Sequence, residues 1–90
     1  MALTIRRSGQ FKRDYKLMKR RGKDMEKLQH AMEKLASGDP LEAKYRDHPL
    51  VGNYVGRRDC HVDPDWLLIY RLESNAILFE RTGTHADLFG

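Results

Sequence analysis

The sequence predicts an α+β domain in which a helical hairpin packs on a twisted, mainly antiparallel sheet, with the element order β-α-α-β-β-β. Apolar residues recur at helical spacing between residues 8 and 37, whereas the apolar runs after residue 54 have the length and composition of strands. Ninety residues suit one core, so we expect a single domain over residues 1–90.

A strand and a first helix are predicted at the start of the chain. Residues 3–7 alternate between apolar and polar side chains, as in a short strand. Ser8 is a suitable N-cap for a helix that extends to about Arg21. Its apolar stripe consists of Phe11, Tyr15 and Met18.

A second helix is predicted to begin after Asp24, which is a suitable N-cap, and to end at residues 37–40, where Gly and Pro occur. Its apolar stripe consists of Met25, Leu28, Met32 and Leu35. Because Gly22 separates the two helices, they should form an αα-hairpin.

The rear half is predicted to contain a loop followed by three strands. Residues 41–56 show no sustained period and contain Pro and Gly, as loops do. Strands are predicted at 54–61, 66–72 and 76–81, with turns at 63–65 and 73–75. The middle strand is almost continuously apolar, so both of its faces should be covered. Residues 82–90 are predicted to form a short tail.

Charge divides the chain into two unlike halves. Residues 1–36 carry eleven Lys and Arg against four Asp and Glu, whereas the remaining residues carry six against nine. A basic front half suits the phosphate backbone of a nucleic acid, or an acidic protein partner.

Several classes of protein are excluded. No apolar run approaches the roughly 18 residues of a membrane span, and the first ten residues lack the apolar segment of a signal peptide. The single cysteine, Cys60, cannot form an internal disulfide. No glycine-rich phosphate-binding motif is present, which leaves nucleoside-triphosphate chemistry unsupported. We therefore expect a cytoplasmic protein without a membrane segment.

Histidines and aspartates are the candidates for chemistry. Strand alternation places Asp59 and His61 on one face and Cys60 on the other. If the late strands pair, the residues expected to converge at the sheet end are His48, His61, His85, Asp59 and Asp65. Such a group could bind a metal, but no two of these histidines have the i, i+4 spacing of a helical metal motif, so we predict no metal.

The same residues suit metal-free RNA cleavage. Histidine titrates near neutral pH and can serve both as the base that takes the 2′-hydroxyl proton and as the acid that protonates the leaving 5′-oxygen. Arg58 and Arg81 could hold phosphates. Aromatic side chains that could stack on bases are Trp66, Tyr70 and Phe89. The alternative for Trp66 and Tyr70 is a place in the core.

Three segments occur together in this chain: DHPL, RD-x-HV-x-PDW-x-LIY and FERTGTH-x-x-LFG. Their combination strongly resembles the YafQ branch of the RelE/ParE toxin superfamily, and the similarity includes RRSGQFKRDYKLMKRRGKDMEKL near the start. The resemblance implies a toxin of a type II toxin-antitoxin pair that cuts mRNA in the ribosomal A site as a ribosome-dependent endoribonuclease. It also implies a microbial ribonuclease-like sheet with two helices, metal-free cleavage and a cognate antitoxin, which we expect to be acidic.

Carried over by position, the resemblance implies a catalytic set made up of His48, His61, Asp65 and His85. The residues expected to contact the substrate are Asp59, Trp66, Arg81 and Phe89. The roles of base and acid stay open, with His61 or His48 as base and His85 as acid or phosphate ligand. Cys60 stands where a small residue such as Ala is expected, but its side chain should face away from His61.

The basic helical hairpin is expected to bind ribosomal RNA without sequence specificity. The residues concerned are Lys12, Arg13, Lys16, Lys19 and Arg20. Two other functions remain open for the same scaffold: a ParE-like protein that inhibits DNA gyrase, and a passive RNA-binding or antitoxin-binding module. Neither requires three histidines and two aspartates, so the histidine group favours the nuclease.

Overall fold

The structure is a computed structural model that describes residues 2–90, and it confirms the α+β class. The helices are α1 (Gly9–Arg20), α2 (Met25–Ser37) and α3 (His85–Phe89). The strands are β1 (Thr4–Arg7), β2 (His48–Pro49), β3 (Arg58–Asp63), β4 (Trp66–Leu72) and β5 (Ala76–Gly83). Single 3₁₀ turns occupy Ala43–Tyr45 and Gly52–Tyr54.

The sheet has the strand order β1-β5-β4-β3-β2. Neighbouring strands are antiparallel except for β1 and β5, which are parallel because the helical hairpin carries the chain from one edge strand across the sheet. In the part of the chain that the structure describes, no helix is long and apolar enough to cross a membrane.

Both helices of the hairpin begin where the sequence predicts. Ser8 Oγ accepts a hydrogen bond from the backbone N–H of Phe11, and Asp24 Oδ1 accepts one from Glu26. Each cap satisfies an N–H that the first helical turn leaves unpaired. Helix α2 ends at Gly38, whose φ of 83° is in the left-handed region that glycine adopts without strain.

The two faces of β4 meet different surroundings. Trp66, Leu68 and Tyr70 pack under α1 and α2 in the main core, whereas Leu67 and Ile69 pack against Leu88 of α3. This arrangement explains why β4 is apolar at nearly every position. Trp66 is fully buried and its indole N–H donates to Thr82 Oγ1 at 2.9 Å. The prediction that Trp66 stacks on a base is therefore wrong.

The predicted loop and tail contain two elements that sequence reasoning missed. Strand β3 starts at Arg58 rather than residue 54, and the two-residue β2 pairs with its first two residues. The tail folds into α3, where Thr84 and Asp87 form a capping box and Leu88 is buried. A Cβ atom at Gly83 would lie 2.9 Å from Cβ of Asp87, so α3 can fold back this closely only against a glycine.

Candidate active site

Three imidazoles form a row on the sheet face opposite the helical hairpin. His48 lies on β2, His61 on β3, and His85 is the first residue of α3. The ring centroids are 6.3 Å apart between His48 and His61 and 5.6 Å apart between His61 and His85. We call this set the imidazole row. The convergence of these three histidines, expected from the sequence, is present in the structure.

Phe89 extends the row at its His85 end. Its ring centroid lies 6.5 Å from that of His85 and 5.5 Å from that of Tyr54, which meets it edge-on. The Tyr54 hydroxyl donates to the backbone carbonyl of Leu88 at 3.2 Å. Phe89 is 48% exposed, so α3 presents an aromatic surface to solvent beside the histidines.

Asp65 fixes the orientation of His85. The backbone N–H of His85 donates to Asp65 Oδ1 at 3.0 Å, and ring atom Nδ1 lies 2.6 Å from the same oxygen. These bonds lower the pKa of Asp65, chiefly through the backbone N–H. Because the ionised carboxylate only accepts, Nδ1 carries a proton and Nε2 is the atom left to exchange one with a substrate.

The backbone fixes the tautomer of His48. Its Nδ1 lies 2.6 Å from the carbonyl oxygen of Arg46, which can only accept, so Nδ1 is protonated. Arg46 reaches this position with a φ of 48°, in the left-handed region that non-glycine residues seldom occupy. Nε2 of His48 lies 3.1 Å from Asp59 Oδ1.

Asp59 lies beneath His48 and is only 3% exposed. Its Oδ1 has no well-aligned hydrogen-bond donor among residues 2–90, although His48 Nε2 approaches it to 3.1 Å. Burial raises the pKa of Asp59, and the neighbouring histidines oppose that rise only in part. Asp59 was predicted to contact substrate, but the fold covers its carboxylate, which faces His48 instead.

His61 occupies the middle of the row. Burial lowers its pKa most, and the positive charges of His85, Arg46 and His48 add to the effect, while Asp59 opposes it. Its Nδ1 is buried without a hydrogen-bond partner in the described part of the chain. The arrangement favours a neutral imidazole, which is the form that can accept a proton.

The loop that carries His48 is anchored by Asp47. Asp47 Oδ1 accepts a hydrogen bond from the Tyr70 hydroxyl and one of 3.3 Å from Arg58 Nε. Tyr70 is buried, so it belongs to the core and not to a base-stacking surface. The sequence analysis proposed that Tyr70 and Arg58 contact RNA. It did not identify Asp47 as the residue to which both side chains donate hydrogen bonds.

Arg81 is held by Asp14 of α1. Its Nε donates to Asp14 Oδ2 at 2.8 Å, and the same oxygen accepts the backbone N–H of Thr82 at 3.2 Å. Asp14 raises the pKa of Arg81 and occupies two of its nitrogens. Asp14 was missed, although its place between Phe11 and Met18 on the apolar stripe indicates a buried acid that needs a partner.

Two further predictions concern the basic residues of α1 and the single cysteine. The five basic residues predicted to bind the ribosome are exposed along α1. Cys60 is buried on the opposite face of β3 from His61, as alternation predicts, and burial raises the pKa of its thiol. Within residues 2–90 no group of three or more His, Cys, Asp or Glu side chains is arranged to hold a metal ion.

Comparison with known proteins identifies the family. The chain is 54% identical over 87 residues to the mRNA interferase toxin YafQ of Escherichia coli K12, covering 96% of this chain and 95% of that protein. The crystal structure of YafQ from E. coli BL21(DE3) superposes with a TM-score of 0.94 at 52% identity, covering 98% and 99% of the two chains. The E. coli DinJ-YafQ toxin-antitoxin complex contains a chain that superposes with a TM-score of 0.92 at 52% identity, and coverage is 100% for both chains. The sequence profile described as a bacterial toxin of type II toxin-antitoxin system, YafQ, matches residues 3–90. The chain therefore belongs to the YafQ family of bacterial toxins from type II toxin-antitoxin systems.

Proposed function

We propose that this toxin is a ribosome-dependent endoribonuclease that cuts mRNA in the ribosomal A site and so inhibits translation. The name of its E. coli relative, an mRNA interferase toxin, supports the substrate class. The observation that carries the proposal is the imidazole row itself, because its three rings have different neighbours that suit different proton roles.

The proposed reaction is a transfer within the RNA backbone and needs two proton carriers. His61, kept neutral by burial, takes the proton of the 2′-hydroxyl, whose oxygen then attacks the adjacent phosphorus. The bond from phosphorus to the 5′-oxygen breaks, and His85 protonates that oxygen. The products are a 2′,3′-cyclic phosphate and a free 5′-hydroxyl, so atoms and charge balance.

Asp65 and Asp59 support this chemistry from opposite ends of the row. The Asp65 carboxylate orients His85 and stabilises its imidazolium form, which is the form that acts as an acid. Asp59 lies against His48, so His48 is suited to carry positive charge towards the phosphorane. Phe89 is suited to stack on a base and place the nucleotide.

The partners follow from the charge distribution and from the relatives. The DinJ-YafQ complex of E. coli supports a cognate antitoxin for this chain, and the basic front half favours an acidic one. The exposed cations of α1 are suited to ribosomal RNA. A ribosomal target implies action in the cytoplasm.

Primer extension on a reporter mRNA after brief induction tests the proposal. We expect in-frame cuts with the wild-type toxin, no cuts with His85→Ala, and normal cuts with His30→Ala, which removes an exposed histidine on α2. Growth arrest with intact mRNA and damaged DNA would instead indicate gyrase inhibition. Intact mRNA without arrest would indicate a passive binding module.

A further inference from the structure

A second feature adjoins the imidazole row: a cleft of about 410 Å³ between α2, the 3₁₀ turn at Ala43–Tyr45 and the end of β3. The cleft exists because β2 pairs with only Arg58 and Asp59, which leaves the rest of the β3 edge without a strand partner on that side. We call it the basic cleft. The charged and aromatic side chains that line it are Lys27, Lys44, Tyr45, Arg46, His61 and Asp63.

Positive charge dominates the basic cleft. Lys27 Nζ is paired with Asp63 Oδ1 at 2.9 Å, which leaves two cations without a close acidic partner. Lys44 lies over the Tyr45 ring and is 4.0 Å from Glu42, a contact too long to neutralise it. No carboxylate of the described chain lies within 4 Å of the Arg46 guanidinium, and that side chain is exposed.

The basic cleft and the imidazole row share His61 and meet at Arg46. The Arg46 carbonyl holds Nδ1 of His48, and its side chain lines the cleft beside His61. The left-handed backbone at Arg46 therefore turns its carbonyl oxygen towards His48, while the side chain of the same residue lines the cleft that contains His61. Phe89 lies at the other end of the row, beyond His85.

We propose that the basic cleft is a phosphate subsite that holds the mRNA backbone on the side of the imidazole row opposite Phe89. This inference rests on the proposed nuclease function and adds the path of the substrate. The volume fits one nucleotide, within the roughly 300–1,000 Å³ usual for small-molecule sites. Lys44 and Arg46 contact the phosphate oxygens, while Phe89 places a base on the other side of the scissile bond.

Single-turnover cleavage of mRNA on programmed ribosomes, with toxin in excess, tests this subsite. The variants are Lys44→Gln alone and Lys44→Gln with Arg46→Asn, because Asn tolerates the left-handed backbone at position 46. A matched control with the same loss of charge is Arg6→Gln with Lys34→Gln, which lie on β1 and α2.

We expect the double variant to cut about tenfold or more slowly at saturating toxin, and Lys44→Gln to be intermediate. The toxin concentration at half-maximal rate should stay at the wild-type value, and the control variant should behave as wild type. When Arg46→Lys replaces Arg46→Asn in the double variant, part of the lost rate should be recovered, because Lys keeps the charge. The pH dependence of the rate should keep its shape, because no proton carrier is removed.

Three outcomes would overturn the subsite. An unchanged maximal rate would show that the cleft holds no mRNA. A rise in the half-saturating concentration alone would assign the phosphate to ribosomal RNA, and a loss confined to antitoxin affinity would assign the cleft to an acidic protein segment. A wild-type toxin that leaves ribosome-bound mRNA intact would refute the nuclease function instead, so the two failures are distinguishable.

Discussion

Arg21, the residue that follows α1, binds Asp87 of α3 through two hydrogen bonds, of 2.7 Å from Nη1 to Oδ2 and 3.3 Å from Nη2 to Oδ1. Asp87 also accepts the backbone N–H of Thr84. These contacts lower the pKa of Asp87 to about 2, with the Arg21 bond as the largest cause. The pair ties the short helix that carries His85 and Phe89 to the helical hairpin.

Removing the ion pair between Arg21 and Asp87 should slow cleavage without removing a proton carrier. We expect Arg21→Gln to lower the single-turnover rate roughly tenfold, because His85 loses its fixed position, and to leave the shape of the pH profile unchanged. Arg7→Gln, at an exposed arginine of β1, is the matched control. Because the pKa of Asp87 is depressed, its carboxylate should be fully ionised at neutral pH. Its contribution to holding α3 against the helical hairpin should be lost only as the pH falls below about 4. Wild-type rates for Arg21→Gln would contradict a positioning role.

The charge of Asp59 should lower the stability of the fold while it supports cleavage. Burial raises the pKa of Asp59, so the folded state binds a proton more readily than the unfolded state does. The fold should therefore become less stable as the pH rises and Asp59 loses that proton in the folded state. We expect Asp59→Asn to keep or raise the Tm at neutral pH and to weaken its dependence on pH between 4 and 7. Cleavage should fall, because His48 loses its charge partner.

Thermal melts across that pH range measure the effect on stability, and single-turnover rates measure the effect on cleavage. Asp39→Asn, at an exposed position after α2, is the control for removing a carboxylate. A variant that melts at the same temperature as wild type at pH 4 but well below it at pH 7 would show that the Asp59 charge stabilises the fold.

The sequence predicts those parts of the fold that depend on neighbouring residues. Periodicity located α1 and α2 because one face of each helix is buried, and the caps at Ser8 and Asp24 followed from their side-chain oxygens. Helix α3 was missed because five residues are too few to show a helical period. Its contact with the helical hairpin depends on Arg21, which lies 66 residues from Asp87 in the chain and which no local pattern reveals.

The candidate site, like the fold, could be predicted from the sequence only in part. Residue types and strand alternation suggested that His48, His61 and His85 converge, but the conformation of Arg46 had no sequence signature, since its φ is unusual for any residue but glycine. Trp66 and Asp59 were misplaced because alternation gives a face of the sheet but does not show what covers that face.

Cleavage should proceed without a transition metal, because the proposed steps are carried by imidazoles and the histidine spacing lacks a metal motif. We expect the same rate on ribosome-bound mRNA with and without a chelator selective for transition metals, with Mg²⁺ kept to hold the ribosomes together. Loss of activity on chelation, restored by zinc or manganese, would reverse this assignment.

The basic face of α1 should determine ribosome affinity. Charge reversal to Glu is placed at Lys12, Arg13, Lys16, Lys19 and Arg20, all of which are exposed, so the fold should survive. We expect ribosome binding to weaken and to lose most of its salt dependence, because fewer counterions are released. Co-sedimentation at several salt concentrations measures both, and normal association by this variant at moderate salt would refute the role.

The proton roles of the imidazole row should separate in the pH dependence of cleavage. His61→Ala and His85→Ala should each lower the single-turnover rate by roughly 100 to 10,000-fold, the range for a lost general acid or base. The acidic limb should depend on His61 and lie at a lower pH than it would for an exposed histidine, because burial lowers the pKa of that ring. The alkaline limb should depend on His85, which must carry a proton to protonate the leaving oxygen.

Phe89→Ala provides the contrast for that experiment. Its ring lies 6.5 Å from that of His85 and carries no proton, so its loss should misplace the nucleotide and slow cleavage by less than either histidine change. Rates from pH 5.5 to 9 should therefore keep both limbs in Phe89→Ala, lose the acidic limb in His61→Ala and lose the alkaline limb in His85→Ala. If all three variants gave the same flattened profile, the assignment of base and acid would be wrong, because removal of a stacking ring would then be indistinguishable from removal of a proton carrier.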